Sequence, residues 1–224
     1  MKRLSEFAER IKRQEAEHEA RMASDPLYRA TVQAREAETA DRYAGYEVLQ
    51  REENLRAMGL PERLAGILAG QVEETPAITA VRDWLDEPKT FLILGGNVGV
   101  GKTVAAAWAL SQRAGMFRKA SQITRMSQYD AEAWDRLYRA GLLVVDDLGT
   151  EPHDQGGWGL SALLDLFDRR YDERARTILT VNVTLETFRE RYGKDGGRFL
   201  DRLREAGKWF NVAGESRRKP EVLS

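Results

Sequence analysis

Two short stretches of this sequence carry side chains suited to phosphate chemistry. One is Gly96-Asn97-Val98-Gly99-Val100-Gly101-Lys102-Thr103, and the other is the carboxylate pair Asp146-Asp147. The first satisfies G-x-x-x-x-G-K-[ST] in the setting that motif requires. It follows the apolar run Phe91-Leu92-Ile93-Leu94 and precedes an Ala-rich run from Val104 to Leu110. Glycines let backbone N–H groups turn inward around phosphate oxygens, and the next helix presents its positive N-terminal end to the same charge. Lys102 is then placed to reach the β- and γ-phosphates, and the Thr103 hydroxyl to ligate Mg²⁺. The paired carboxylates close the run Leu142-Leu143-Val144-Val145. A buried parallel strand delivers such groups to the sheet edge where open α/β sheets bind ligands. Asp146 is the candidate to hold Mg²⁺, through its water shell, and Asp147 the candidate to orient the attacking water. Asn182 ends a further run, Ile178-Leu179-Thr180-Val181. It reads either as a sensor of the γ-phosphate or as a cap on the turn before Thr184, itself a helix N-cap candidate.

These groups need a sheet to position them, and the pattern supplies strands at 91–94, 116–120, 142–149, 176–182 and 209–212. Short helices are expected over Pro61–Gly70 and Pro76–Asp86, the second with Ile78, Val81, Trp84 and Leu85 on one side. Ser127–Ala140 reads as a helix with Ala133, Trp134, Leu137 and Tyr138 inward, and Leu160–Tyr171 as an amphipathic helix covering the sheet. Arg118, Lys119, Arg125, Arg136 and Arg139, with Tyr129 and Tyr138, form the most basic central region. It suits either single-stranded DNA, by phosphate pairing and base stacking, or plain solvated surface. Gly196-Gly197 introduces a short helix in which Arg198 and Arg202 share a face.

Residues 1–58 differ in kind. They are rich in Glu, Arg and Ala, with Gly45 the single glycine. Leu4, Phe7 and Ile11 mark a first short helix, and Asp25-Pro26 is a start signal for a second. The second carries a thin stripe of Leu27, Ala30, Ala34, Ala37, Ala44, Val48 and Leu55, which is expected to lie against something. The arm reads equally as a solvated helix capping its own domain or as a docking arm. Gly59-Leu60-Pro61 punctuates the boundary, so a main domain is expected over 59–218 and a disordered tail over 219–224.

Composition narrows the classes. The 224 residues are 42% hydrophobic and 32% charged, with formal net charge −1, so any nucleic-acid surface must be local. The absence of cysteine excludes disulfides, thiol catalysis and Cys-ligated zinc, and His18 and His153 make a poor metal pair. No apolar run reaches membrane-spanning length and no signal-peptide core is seen, which points to a cytoplasmic protein.

From about Leu60 to Arg218, the ordered set GxGKT, LLVVDDLG, TILTVN, DRLR and GESRR resembles the DnaC/IstB family of AAA+ ATPases. The resemblance implies an α/β P-loop fold with a five-stranded parallel sheet flanked by helices, working as nucleotide-dependent oligomers. It also implies ATP and Mg²⁺ as cofactors. Asn182 looks like the sensor-1 residue, Arg202 like the arginine finger supplied to a neighbouring subunit, with Arg198 its rival, and Arg218 like the sensor-2 arginine. Asp147 stands where most AAA+ proteins have Glu, which suits a switch-like ATPase. The short stretch after the last strand leaves no room for a full C-terminal lid. The function implied is a helicase loader that docks a replicative DNA helicase through residues 1–58 and touches single-stranded DNA. The alternatives are an IstB-like transposition regulator acting with a transposase and a non-hydrolysing ATP-bound adaptor.

Overall fold

The computed structural model describes residues 2–149, 158–193 and 197–217. The chain forms two compact units that divide between Gln50 and Arg51. The first unit is helical. Helix α1 spans Lys2–Ser24, longer than the short helix expected, and α2 spans Pro26–Ala57. Asp25 starts α2 as its type predicts, its Oδ1 accepting the N–H groups of Leu27 and Tyr28 at 3.0 Å each. Of the thin stripe, Leu27 and Val48 are exposed in the lone chain, as are Tyr43, Tyr46 and Leu49 on the same helix. Leu55 is the exception. It lies beyond the division and is buried in the core of the larger unit with Leu60 and Leu64.

The larger unit continues with α3 (Glu62–Ala69), α4 (Pro76–Asp86), β1 (Phe91–Gly95), α5 (Lys102–Gln112) and β2 (Met116–Lys119). Then come α6 (Ala120–Ile123), α7 (Ala131–Arg139), β3 (Leu142–Leu148) and α8 (Trp158–Asp172). The last described elements are β4 (Arg176–Val181), α9 (Leu185–Gly193), α10 (Gly197–Ala206) and β5 (Gly207–Asn211). Helix α7 starts later than the apolar pattern suggested because Asp130 caps it, accepting from the Ala133 N–H at 3.0 Å. The last strand is shifted towards the N-terminus, so Val212 follows β5 instead of ending it.

All five strands are parallel, in the order β2-β3-β4-β1-β5. Alternation along each strand splits the apolar residues between two faces. Leu92, Leu94, Leu142, Val144 and Ile178 pack with α3, α4 and α5. Phe91, Ile93, Leu143, Val145 and Leu179 pack under α6 to α10. Central strands buried on both faces read as near-continuous apolar runs, which is why their sequences showed no alternation of polarity. Among the described residues, no helix is long and apolar enough to cross a membrane.

One fully buried cation ties the second face together. Arg170 of α8 donates to the carbonyls of Leu137, Tyr138 and Ala140 at the end of α7. It also donates to the Arg176 carbonyl and the Thr177 hydroxyl of β4. These bonds satisfy helix-terminal carbonyls that would otherwise lack partners. Burial lowers the guanidinium to about 10. Replacing it with Met is expected to destabilise the fold by about 3 kcal/mol, because buried carbonyls would lose their donor. A lowered urea midpoint at unchanged slope would verify this.

Candidate nucleotide site

Strand β1 ends in the glycine-rich loop, and α5 begins at Lys102, directly after it. Gly96 has φ +139°, and a Cβ there would lie 2.4 Å from the Val212 carbonyl oxygen. Gly99 has φ +88°, with Ser216 Oγ only 2.2 Å from where a Cβ would be. Neither position admits a side chain, for both space and backbone reasons. The loop is closed over Lys102, whose Nζ donates to the carbonyls of Gly96 at 2.8 Å and Asn97 at 2.5 Å. Asn97 and Val98 are exposed at the loop tip, while Val100 is buried.

The paired carboxylates arrive from β3, two strands away from β1. Asp146 is 2% exposed, and burial pushes its carboxyl up. The neighbouring Asp147 charge adds to that shift, while hydrogen bonds from Thr180 and Thr103 oppose it. Thr103 Oγ1 donates to Asp146 Oδ1 at 2.8 Å, which brings these two oxygens together. Asp147 adopts φ +56° and accepts from Asn182 Nδ2 at 3.0 Å. Asn182 stands just past the end of β4 and is thus joined to the carboxylate pair. Thr184 also caps the following helix as expected, accepting from the Thr187 N–H at 3.3 Å.

Thr103 and Asp146 offer the hard oxygen donors that Mg²⁺ prefers. Among the described residues no group of three or more His, Asp or Glu converges. That arrangement fits an ion held by one or two protein oxygens together with nucleotide phosphates. Beside the loop is an open cavity of about 390 Å³, walled by the start of α4 (Thr75–Ala77), by Val100 and by residues 212–217. The backbone fixes that last segment to the loop: Val212 N–H donates to the Gly95 carbonyl at 2.7 Å, and Arg217 N–H to that of Gly99 at 2.9 Å.

Two contributors escaped sequence reading. Thr180 bonds both aspartates, and the period-2 spacing that puts it on the same side of β4 as Asn182 was the available signal. Arg217 reaches the site's rim, its side chain pairing with Glu73 at 3.2 Å. Its neighbour Arg218 lies outside the described residues, as does His153. Arg202 is away from this edge, held between Asp168 and Asp172 of α8 and over the Tyr171 ring. Its side chain is 13% exposed, against 79% for Arg198, which stands 3.7 Å from Asp168.

The residues of the basic central region differ in their surroundings. Arg136 and Arg139 pair with Glu132 and Asp135 on their own helix at 2.8 Å each. Tyr138 stacks on Trp134 and lies under Arg169, so its ring is already engaged within the chain. Lys119, Arg125 and Tyr129 remain exposed, Tyr129 at 85%.

Among solved structures, the fold is similar to that of the DnaC helicase loader, at 18% identity and TM-score 0.56, over 68% of this chain and 100% of that one. DnaI matches at 21% identity and TM-score 0.52, over 71% and 95% of the respective chains. AMPPCP-bound DnaA from Aquifex aeolicus matches at 17% and 0.50, over 65% and 49%. At these identities the likeness is one of fold, the P-loop AAA+ fold. No curated protein sequence matches the chain. The family model described as IstB-like ATP binding protein matches residues 77–223. With its glycine loop, its lysine and one buried and one half-buried carboxylate assembled at one sheet edge, the chain belongs to the IstB-like ATP-binding protein family.

Proposed function

We propose that this protein is an ATP-hydrolysing assembly switch that loads a replicative DNA helicase onto single-stranded DNA. The observation that carries the nucleotide chemistry is the convergence of Lys102, Thr103, Asp146, Asp147 and Asn182 at the C-terminal edge of the sheet. In this reading the backbone of Gly96–Thr103 cradles the phosphates, and Lys102 exchanges its loop carbonyls for the β- and γ-oxygens. Thr103 and Asp146 hold Mg²⁺, which when bound neutralises charge on those oxygens. Asp147, steadied by Asn182, orients the attacking water. The base and ribose take the cavity beside Val100 and residues 212–217, and Arg218, next in sequence, serves as the sensor-2 arginine.

Residues 59–218 act as the ATPase domain and 1–58 as the arm that grips the helicase. Its exposed Tyr43, Tyr46 and Leu49 support a docking role. Lys119, Arg125 and Tyr129 are the groups left to meet a DNA strand. Arg202 serves the neighbouring subunit, which requires its pair with Asp168 to open; Arg198 is the exposed alternative. The fold shared with a protein named as a helicase loader supports the loading role. The second reading is an IstB-like transposition regulator acting with a transposase; the family match is to an IstB-like ATP binding protein and is equally compatible with it.

Co-elution of the full chain with the replicative helicase of the same genome, with and without ATP, separates these readings. Binding that requires ATP and is lost in a Tyr43→Ser, Tyr46→Ser, Leu49→Ser variant of unchanged melting temperature is the expected result. No binding in either state would sink the loader reading and direct the search to a transposase. Asp147→Asn is expected to accumulate ATP-bound assemblies and lower kcat by about 100-fold or more. Turnover at the wild-type rate would remove Asp147 from the chemistry, and absence of turnover in the wild type would favour an adaptor that only binds ATP. Arg202→Ala should keep ATP affinity while losing about 10³-fold of assembly-stimulated hydrolysis. Unchanged stimulation would transfer the role to Arg198.

A further inference from the structure

The turn that presents both carboxylates is also a break in the sheet. Val145 pairs with Leu179 and Leu148 with Val181, so Asp146 and Asp147 of β3 face Thr180 alone on β4. An extra residue of this kind leaves the ladder a partner short and re-aims the side chains around it. The Thr180 hydroxyl supplies that partner. It accepts the Asp147 N–H at 2.9 Å and donates to Asp146 Oδ1 at 2.7 Å. The direction of both bonds is determined, because a backbone N–H can only donate and the hydroxyl has a single proton left to give. Thr180 is 1% exposed, which keeps solvent from replacing either bond.

We propose that Thr180 is the positioning residue of the carboxylate pair. Its donated bond sets the Asp146 rotamer, leaving the same oxygen within 2.8 Å of Thr103. Its accepted bond holds the Asp147 backbone at φ +56°, the left-handed turn from which that carboxylate meets Asn182. One hydroxyl thus couples the metal-holding group to the water-orienting group. The assignment rests on the nucleotide-site reading above, because only there do the two carboxylates have separate tasks. Valine would fill the same space and suit the strand, yet it can neither donate nor accept. Serine would retain both bonds.

The test uses the full chain as wild type, Thr180→Ser, Thr180→Val and Thr180→Ala. Three quantities are measured: the thermal melt, the affinity for a fluorescent ATP analogue with Mg²⁺ or with excess chelator, and steady-state kcat and KM. Binding is measured well below each variant's melting point. Affinity in chelator is expected to stay at the wild-type level in every variant. The gain in affinity on adding Mg²⁺, and kcat, should each fall about 10–100-fold in the Val and Ala variants. The Ser variant should keep both. Wild-type Mg²⁺ dependence and kcat in the Val and Ala variants would overturn the proposal. So would a Ser variant as impaired as Val, or loss of a cooperative melt in both hydroxyl-free variants, which would assign the hydroxyl to folding. If the wild type hydrolyses no ATP, the hydrolysis reading fails, and the Mg²⁺-dependent affinity alone decides the role of Thr180.

Discussion

Asp146 sits almost wholly out of water, and the requirement to satisfy a carboxylate there shapes the surrounding structure. A buried charge is tolerated where hydrogen bonds replace its hydration. Thr103, from the first turn of α5, and Thr180, from β4, both donate to the same oxygen, Oδ1. The strand order puts β4 between β3 and β1, so these donors reach Asp146 from two different neighbours in the fold. The bulge between Val145 and Leu148 then turns Asp147 out of the ladder towards Asn182. The site is thus built across three strand ends, with each polar group held by the next.

The glycine loop depends on a different constraint, close backbone approach. It is pressed against residues 212–217, so closely at Gly96 and Gly99 that a Cβ would collide with Val212 or Ser216. The last strand and the segment after it therefore form one wall of the phosphate loop, and hydrogen bonds from Val212 and Arg217 fasten them to it. A nucleotide in the adjoining cavity would touch both.

The helical unit before Arg51 follows other rules. Its first helix has mixed charge, and the apolar residues of the second are few and mostly exposed. Stability of such helices comes from local terms such as the Asp25 cap and ion pairs like Arg13–Glu17 and Arg42–Glu38. Exposed pairs of this kind contribute little each. The apolar side chains Tyr43, Tyr46 and Leu49 of α2 are left in water and so add little to that stability.

Much of this was legible in the sequence, for reasons that are local. Strong apolar runs marked β1, β3 and β4, because buried parallel strands need no polar face, and the glycine pattern with Lys102-Thr103 marked the loop between strand and helix. Asp25 and Thr184 announced the helices they cap. What failed depended on neighbours distant in the chain. The helix pattern around Tyr138 put Trp134 on the same face but gave no hint that Arg169 would lie over its ring. The stripe that included Leu55 did not reveal that Leu55 alone would enter the core. Arg202 and Arg198 share a face of their helix in the sequence pattern, and only the packing of α10 on α8 made one enclosed and the other exposed. Thr180 was unremarkable as a strand residue until a bulge set two aspartates opposite it. By itself the sequence determined which groups could do the chemistry, since residue type and spacing are properties of the chain. Tertiary structure decided which groups hold them in place, because hydrogen bonds between strands depend on register, and register is settled by the packing of the whole sheet.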